Sequence, residues 1–118
     1  MRIGLIGFGF IGSELYRRIA AEGAGEIVFV HSRSPERLAA LPPRLILDDL
    51  SDAQERCPDL IVEMAGPEVS QAHGEAFLAC ADYMPLSLTA IADEALRGRL
   101  EAAAARAGRS LLVAHGAL

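Results

Sequence analysis

The chain has 118 residues, of which 52% are hydrophobic and 23% charged, and its formal net charge is -5. That length fits one compact domain and not two, and the composition is that of a folded protein rather than a disordered one. The mild acidity, with no basic stripe, argues against a nucleic-acid partner, and no apolar run approaches the roughly 18–20 residues that span a bilayer, so no membrane partner is expected. The opening Met1-Arg2-Ile3-Gly4-Leu5-Ile6 lacks the layout of a secretory signal and reads directly as a strand. Cys57 and Cys80 lie far apart without CxxC or Cys/His spacing, so two reduced thiols in a cytoplasmic protein are expected.

Short apolar runs alternate with longer segments of helical period, the pattern of a parallel sheet with crossover helices. A first strand is predicted over 3–6 and a helix over 13–21, stopped by Gly23 and Gly25. The β-branched and aromatic run at 27–30 predicts a second strand. Ser34-Pro35-Glu36 reads as an N-cap with proline at the first helical position, opening a brief helix that Pro42-Pro43 ends. A weak third strand is predicted at 45–47, before the acidic turn at Asp48-Asp49. A fourth strand follows at 59–63, a helix opened by Gly66-Pro67-Glu68 and running to about residue 81, and a fifth strand at 83–86. Residues 92–107 form a strong Ala/Leu/Arg/Glu helix ended by Gly108, and 110–114 a sixth strand. The expected fold is α/β: a doubly wound parallel sheet of about six strands with helices on both faces, forming one domain over 1–118.

Gly7-Phe8-Gly9-Phe10-Ile11-Gly12 lies directly after the first strand and directly before a helix, the context that gives a Gly-x-Gly-x-x-Gly turn its meaning. Gly7 permits the tight turn, Gly9 lets the backbone approach a pyrophosphate, and Gly12 lets the helix pack close to the strand. The helix N-terminus supplies unpaired N–H groups and partial positive charge to the phosphates. A dinucleotide is therefore the expected ligand, and no Gly-Lys-Ser/Thr is present to suggest a P-loop.

The end of the second strand bears on which dinucleotide. An acidic residue about 20 residues beyond the glycines would hold the ribose 2′-hydroxyl of NAD. Here the sequence is His31-Ser32-Arg33-Ser34. A carboxylate would repel a 2′-phosphate, whereas Ser32 and Arg33 can hydrogen-bond one, so NADP is favoured over NAD. The competing reading has Arg33 stacked on adenine or turned to solvent.

Glu63-Met64-Ala65-Gly66-Pro67-Glu68-Val69 resembles the E-A/C-A-S/G-P-E-A/V stretch of L-aspartate dehydrogenases. Leu86-Ser87-Leu88-Thr89-Ala90-Ile91-Ala92-Asp93 resembles that family's Ser-x-x-Ala-x-Ala-Asp segment, and His115-Gly116-Ala117-Leu118 its Ser-Gly-Ala-Ile/Leu loop. With the glycine turn, these segments cover the chain in the family's order. The resemblance implies an NAD(P)-dependent enzyme that interconverts aspartate and iminoaspartate, or oxaloacetate plus ammonia. It implies that Gly7, Gly9, Phe10, Ile11 and Gly12 contact the pyrophosphate. Ala65 and Gly66, then Ser87, Leu88 and Thr89, and finally Ala117 would line the cofactor's path toward the nicotinamide. Two departures matter: the family often has an acidic residue where Ser32 stands, and its catalytic histidine and cofactor-contacting asparagine lie in a second half. No catalytic residue is therefore assigned here. A substrate domain for a small amino acid is expected beyond Leu118, the chain alone is expected to be inactive, and a homo-oligomer is expected.

Other residues invite chemical readings. His115 follows a strand end and has a side chain suited to proton transfer, although the family commonly has serine there, which favours positioning. His73 reads as a surface or packing residue in mid-helix. Glu63 reads equally as a pocket carboxylate and as a cap within its own loop. Asp48, Asp49 and Asp52 look like a metal cluster, but without nearby His or Cys, helix capping explains them more simply. Two alternatives stay open: the cofactor domain of another two-domain dehydrogenase, such as a homoserine dehydrogenase, and a nucleotide-sensing regulatory domain without redox chemistry.

Overall fold

The computed structural model describes residues 1–86 and 93–113. Strand β1 (Arg2–Ile6) leads into helix α1 (Phe10–Glu22), and β2 (Glu26–His31) follows. Three short 3-10 helices then cross at Pro35–Leu38, Pro43–Leu45 and Leu50–Arg56. Strand β3 (Leu60–Glu63), helix α2 (Pro67–Leu78), strand β4 (Asp82–Pro85) and helix α3 (Glu94–Ala107) complete the described elements. The four strands form one parallel sheet in the order β2-β1-β3-β4. The chain thus builds outward from β1 to β2, then returns to place β3 on the other side of β1.

Period-2 alternation along the strands divides the core between two faces. Ile3, Leu5 and Val62 pack with Ile19 of α1 on one face. Ile6, Ile61 and Tyr83 pack on the other with Phe77 and Leu78 of α2 and Leu96 and Leu100 of α3. Helices therefore cover both faces, as the doubly wound reading requires. Each of these side chains is almost fully withdrawn from water, which stabilises the fold by about 1.5–3 kcal/mol apiece. Gly4 lies over the Phe29 ring, where a Cβ would come within 2.3 Å of two ring carbons. Strand β1 must be bare there for Phe29 to fill the core.

The count of about six strands is corrected to four among the described residues. Residues 45–47 are not a strand: Val30 and Ile46 make a single parallel bridge, and Pro43–Leu45 is a 3-10 turn. Pro42 and Pro43 have no N–H to donate and hold fixed φ, which prevents an extended ladder before that point. Arg56 supplies the missing partners, its guanidinium donating to the carbonyls of Val28, Arg44 and Ile46 at 3.1, 2.9 and 3.0 Å. The predicted sixth strand is likewise reduced to one bridge, Tyr83 with Leu111, in residues 110–113; residue 114 lies outside the described residues. The brief helix expected after Ser34 is one 3-10 turn, and the Ser34 hydroxyl does not cap it. Asp93, by contrast, caps α3 by accepting from Leu96 N–H at 3.1 Å.

Candidate functional site

Ligands of open parallel sheets bind beyond the carboxyl ends of the strands, where the winding direction reverses. Here that point lies between β1 and β3. The hydrogen-bond ladder continues one step past the strand ends: Gly7 N–H donates to His31 O at 2.8 Å, Met64 N–H to Ile6 O at 2.7 Å, and Leu86 N–H to Glu63 O at 2.8 Å. Three loops therefore leave the sheet from fixed starting points.

The glycine turn is shaped as its spacing predicts. Gly7 has φ +99°, and a Cβ there would lie 2.9 Å from the Met64 carbonyl carbon. A Cβ on Gly12 would lie 2.3 Å from the Gly7 carbonyl oxygen, so α1 rests directly on the turn. A methyl on Gly9 would meet only Arg37 Nη1, at 3.4 Å, and the backbone there is otherwise open. Helix α1 starts at Phe10 with no side-chain cap and no acidic residue in its first turn. The N–H groups of its first turn have no intrahelical partner and carry the positive end of the helix dipole. Phe10 and Ile11, the first two residues of α1, are 86% and 64% exposed.

A crevice of about 240 Å³ joins the turn to the other strand ends, with Gly7, Phe8 and Gly9 on one wall, Ser32, Arg33, Ser34 and Arg37 on a second, and Met64 and Ala65 on a third. A second hollow of about 280 Å³ shares Met64 and Ala65 and adds Ile11, Gly66 and Leu86. Together they place Gly7, Gly9, Ile11, Ser32, Arg33, Ala65 and Gly66 around one continuous path. A larger concavity of about 730 Å³ follows the outward side of α1, lined by Phe10, Tyr16 and Arg17. It lies away from the strand ends, and its carboxylate, Glu14, is already paired with Arg17 and Arg18. Size alone does not make it the site.

Glu63 resolves as the cap of its own loop. It is fully buried, and its Oε2 accepts from Ala65 N–H and Gly66 N–H, each at 2.6 Å. Its Oε1 has no hydrogen-bond partner among the described residues. Gly66, at φ +141°, takes a backbone conformation that side-chain-bearing residues rarely adopt. This carboxylate therefore sets the shape of the wall formed by Ala65 and Gly66. On the same face, Ser70 Oγ and Tyr83 Oη lie 2.7 Å apart. Burial pushes the Tyr83 hydroxyl well above its ordinary value, the Ser70 bond opposes that shift, and the Glu63 charge adds to it.

The remaining sequence candidates have structural roles. His73 stacks on Phe77 with ring centroids 5.7 Å apart. Asp49 caps the Leu50–Arg56 turn by accepting from Ser51 N–H at 2.9 Å, which holds its carboxyl below the usual range. Among the described residues no group of three or more His, Cys, Asp or Glu side chains comes together as a metal site, and Cys57 and Cys80 are free. Ser87, Leu88, Thr89, His115 and Ala117 lie outside the described residues. Sequence reasoning missed Arg37. The signal was its spacing from Ser34: on a 3-10 turn, residues i and i+3 share a face.

A parallel sheet whose winding reverses beside a glycine turn and an uncapped helix defines a dinucleotide-binding domain of the Rossmann type. Residues 7–114 match the family described as homoserine dehydrogenase, NAD binding domain, and the chain belongs to that family. It is 44% identical over 122 residues to an aspartate dehydrogenase domain-containing protein of Xenopus tropicalis, covering all of this chain and 43% of the relative. It is 36% identical over 121 residues to L-aspartate dehydrogenase 1 of Bordetella pertussis, covering all of this chain and 46% of the relative. The chain thus spans a little under half the length of these curated relatives. The crystal structure of aspartate dehydrogenase from Thermotoga maritima shares the fold, with a TM-score of 0.72 and 24% identity over all of this chain and 47% of that one. Among the described residues no helix is long and apolar enough to cross a membrane.

Proposed function

We propose that this chain is the cofactor-binding part of an L-aspartate dehydrogenase that favours NADP over NAD. The observation that carries the cofactor preference is the crevice itself. It runs from the open N-terminus of α1 to Ser32 and Arg33, with no carboxylate among its lining residues. The pyrophosphate would lie on the N–H groups of the Gly9–Gly12 turn, where a bare Gly9 leaves room and the helix dipole is not yet neutralised. Ser32 and Arg33 would take the 2′-phosphate.

Ala65 and Gly66, held by Glu63, would guide the nicotinamide end; Ser87, Leu88, Thr89 and Ala117 are proposed to complete that path. When bound, the nicotinamide accepts a hydride from the substrate's α-carbon or returns one. Orienting that ring is the task of this chain; the proton-transfer groups are proposed to lie elsewhere in the whole protein. The aspartate reading is supported by the curated relatives, which match the whole chain under that description.

Fluorescence titration with NADPH and NADH tests the cofactor reading. NADPH is expected to bind about tenfold tighter or better, a difference of roughly 1.4 kcal/mol. Equal affinities, or tighter NADH, would overturn the preference. For the substrate, cofactor reduction by the whole protein is expected with L-aspartate; reduction with homoserine and none with aspartate would move it to the other enzyme class.

A further inference from the structure

The wall of the crevice opposite the glycine turn carries a second guanidinium that the sequence did not single out. Arg37 sits on the Pro35–Leu38 turn, and its Nη1 would lie 3.4 Å from a methyl placed on Gly9. The backbone that carries it is fixed from both sides. Ser34 N–H donates to Ser32 Oγ at 3.0 Å, Arg37 N–H donates to Ser34 O at 3.0 Å, and the next residue, Leu38, is anchored in the core. The three-residue period of the turn stacks Arg37 over Ser34, and both line the crevice with Ser32 and Arg33. Among the described residues neither Arg33 nor Arg37 forms a side-chain hydrogen bond or an ion pair. Arg2, Arg17, Arg18, Arg97 and Arg99 are paired with carboxylates and Arg56 is bound by backbone carbonyls; Arg44, Arg106 and Arg109 also lack such partners among the described residues, but they do not line this crevice. Two guanidinium groups without carboxylate partners on one crevice, with two serine hydroxyls beside them, make a site for a dianion rather than for a neutral hydroxyl.

We propose that Arg37 is a specificity-determining residue that closes a two-arginine clamp on the ribose 2′-phosphate, with Arg33 as the other jaw. A phosphomonoester carries about -1.5 to -2 charge at neutral pH, so a single guanidinium leaves it under-neutralised. Arg37 spans the gap between the glycine turn and the β2 loop, so the 2′-phosphate is gripped between two elements instead of resting on one. This inference rests on the proposed preference for NADP and assigns a residue to it.

The test uses 2′,5′-ADP and 5′-AMP as probes, since they differ only in the 2′-phosphate and lack the nicotinamide half. Isothermal titration is run on the wild-type chain, Arg37→Ala, Arg37→Lys and Arg33→Ala. Arg37→Ala is expected to weaken 2′,5′-ADP about tenfold while 5′-AMP stays within about twofold. Arg37→Lys, which keeps the charge and loses the planar fork, should recover part of that loss. Arg37 is exposed, so unchanged circular dichroism is expected to show that the variant stays folded. An equal loss for both probes would make Arg37 a ligand of the 5′-phosphate and overturn the clamp, and so would no loss for either. A wild-type chain that does not prefer 2′,5′-ADP over 5′-AMP would sink the NADP reading as a whole. A wild-type preference that survives in Arg37→Ala and vanishes in Arg33→Ala would sink only the role of Arg37.

Discussion

The chain builds the same strand–turn–helix unit twice and finishes it in opposite ways. After β1, Gly7 at φ +99° turns the chain into α1; after β3, Gly66 at φ +141° turns it into α2. Both units present backbone N–H groups beyond the sheet, and both point a helix N-terminus toward the crevice side. At the second unit the protein fills that need itself. Glu63 accepts from two loop N–H groups, and Glu68 stands in the first turn of α2. No side chain caps either helix, but at the first unit no acid lies in the first turn. The two units differ by where a negative charge comes from: one carries its own, the other is left to take it from a ligand. Backbone geometry alone would not separate a structural turn from a binding turn; the neighbouring carboxylates do.

Substitutions at four positions would break or sharpen that contrast, from the largest effect to the smallest. Gly12→Val drives a side chain into the Gly7 carbonyl and lifts α1 off its turn. Cofactor affinity should fall about 1,000-fold or more, roughly 4 kcal/mol, in a fluorescence titration. Glu63→Ala removes a buried charged acceptor from two N–H groups, and urea unfolding should show a loss of about 3 kcal/mol. Glu63→Gln, which retains an acceptor oxygen, should recover more than half of it.

Ile11→Glu gives the first unit an anion like that of the second. Cofactor binding should weaken about tenfold while folding gains about 0.5 kcal/mol from the helix dipole. A variant that bound cofactor as well as the wild type would show that the α1 terminus is not where the phosphates lie. Tyr83→Phe removes the hydroxyl bonded to Ser70 and should cost about 1 kcal/mol near neutral pH. Because burial raises the Tyr83 hydroxyl above its unfolded value of about 10, its contribution is complete below that pH and is lost as pH rises beyond it. The wild type should therefore lose stability relative to Tyr83→Phe as pH climbs above 10, because the unfolded tyrosine ionises there while the native phenol must stay protonated. A flat difference between the two proteins across pH 9 to 11 would contradict the assigned shift.

The glycine turn was legible because Gly7 and Gly12 answer contacts that only a missing side chain permits, and Gly9 keeps the backbone open. The two-faced parallel sheet was legible from alternation alone. Residues 45–47 were not, because their β-forming side chains promised a ladder whose carbonyls Arg56 takes instead, from ten residues downstream. Glu63 was left between two readings, since the same carboxylate serves a pocket or a loop depending on where two N–H groups point. Arg37 escaped notice because its spacing from Ser34 brings it to the crevice only when Pro35–Leu38 is a 3-10 turn, and its neighbour across the crevice is the distant Gly9.

Arg56 has one more effect. Strand β2 lies at an edge of the sheet, where unpaired carbonyls invite the strand of another molecule. The Arg56 guanidinium occupies the Val28 carbonyl, and Leu47 N–H occupies that of Val30 at 2.9 Å. A cation and a single bridge thus take up carbonyls that this border would otherwise offer to the strand of another molecule.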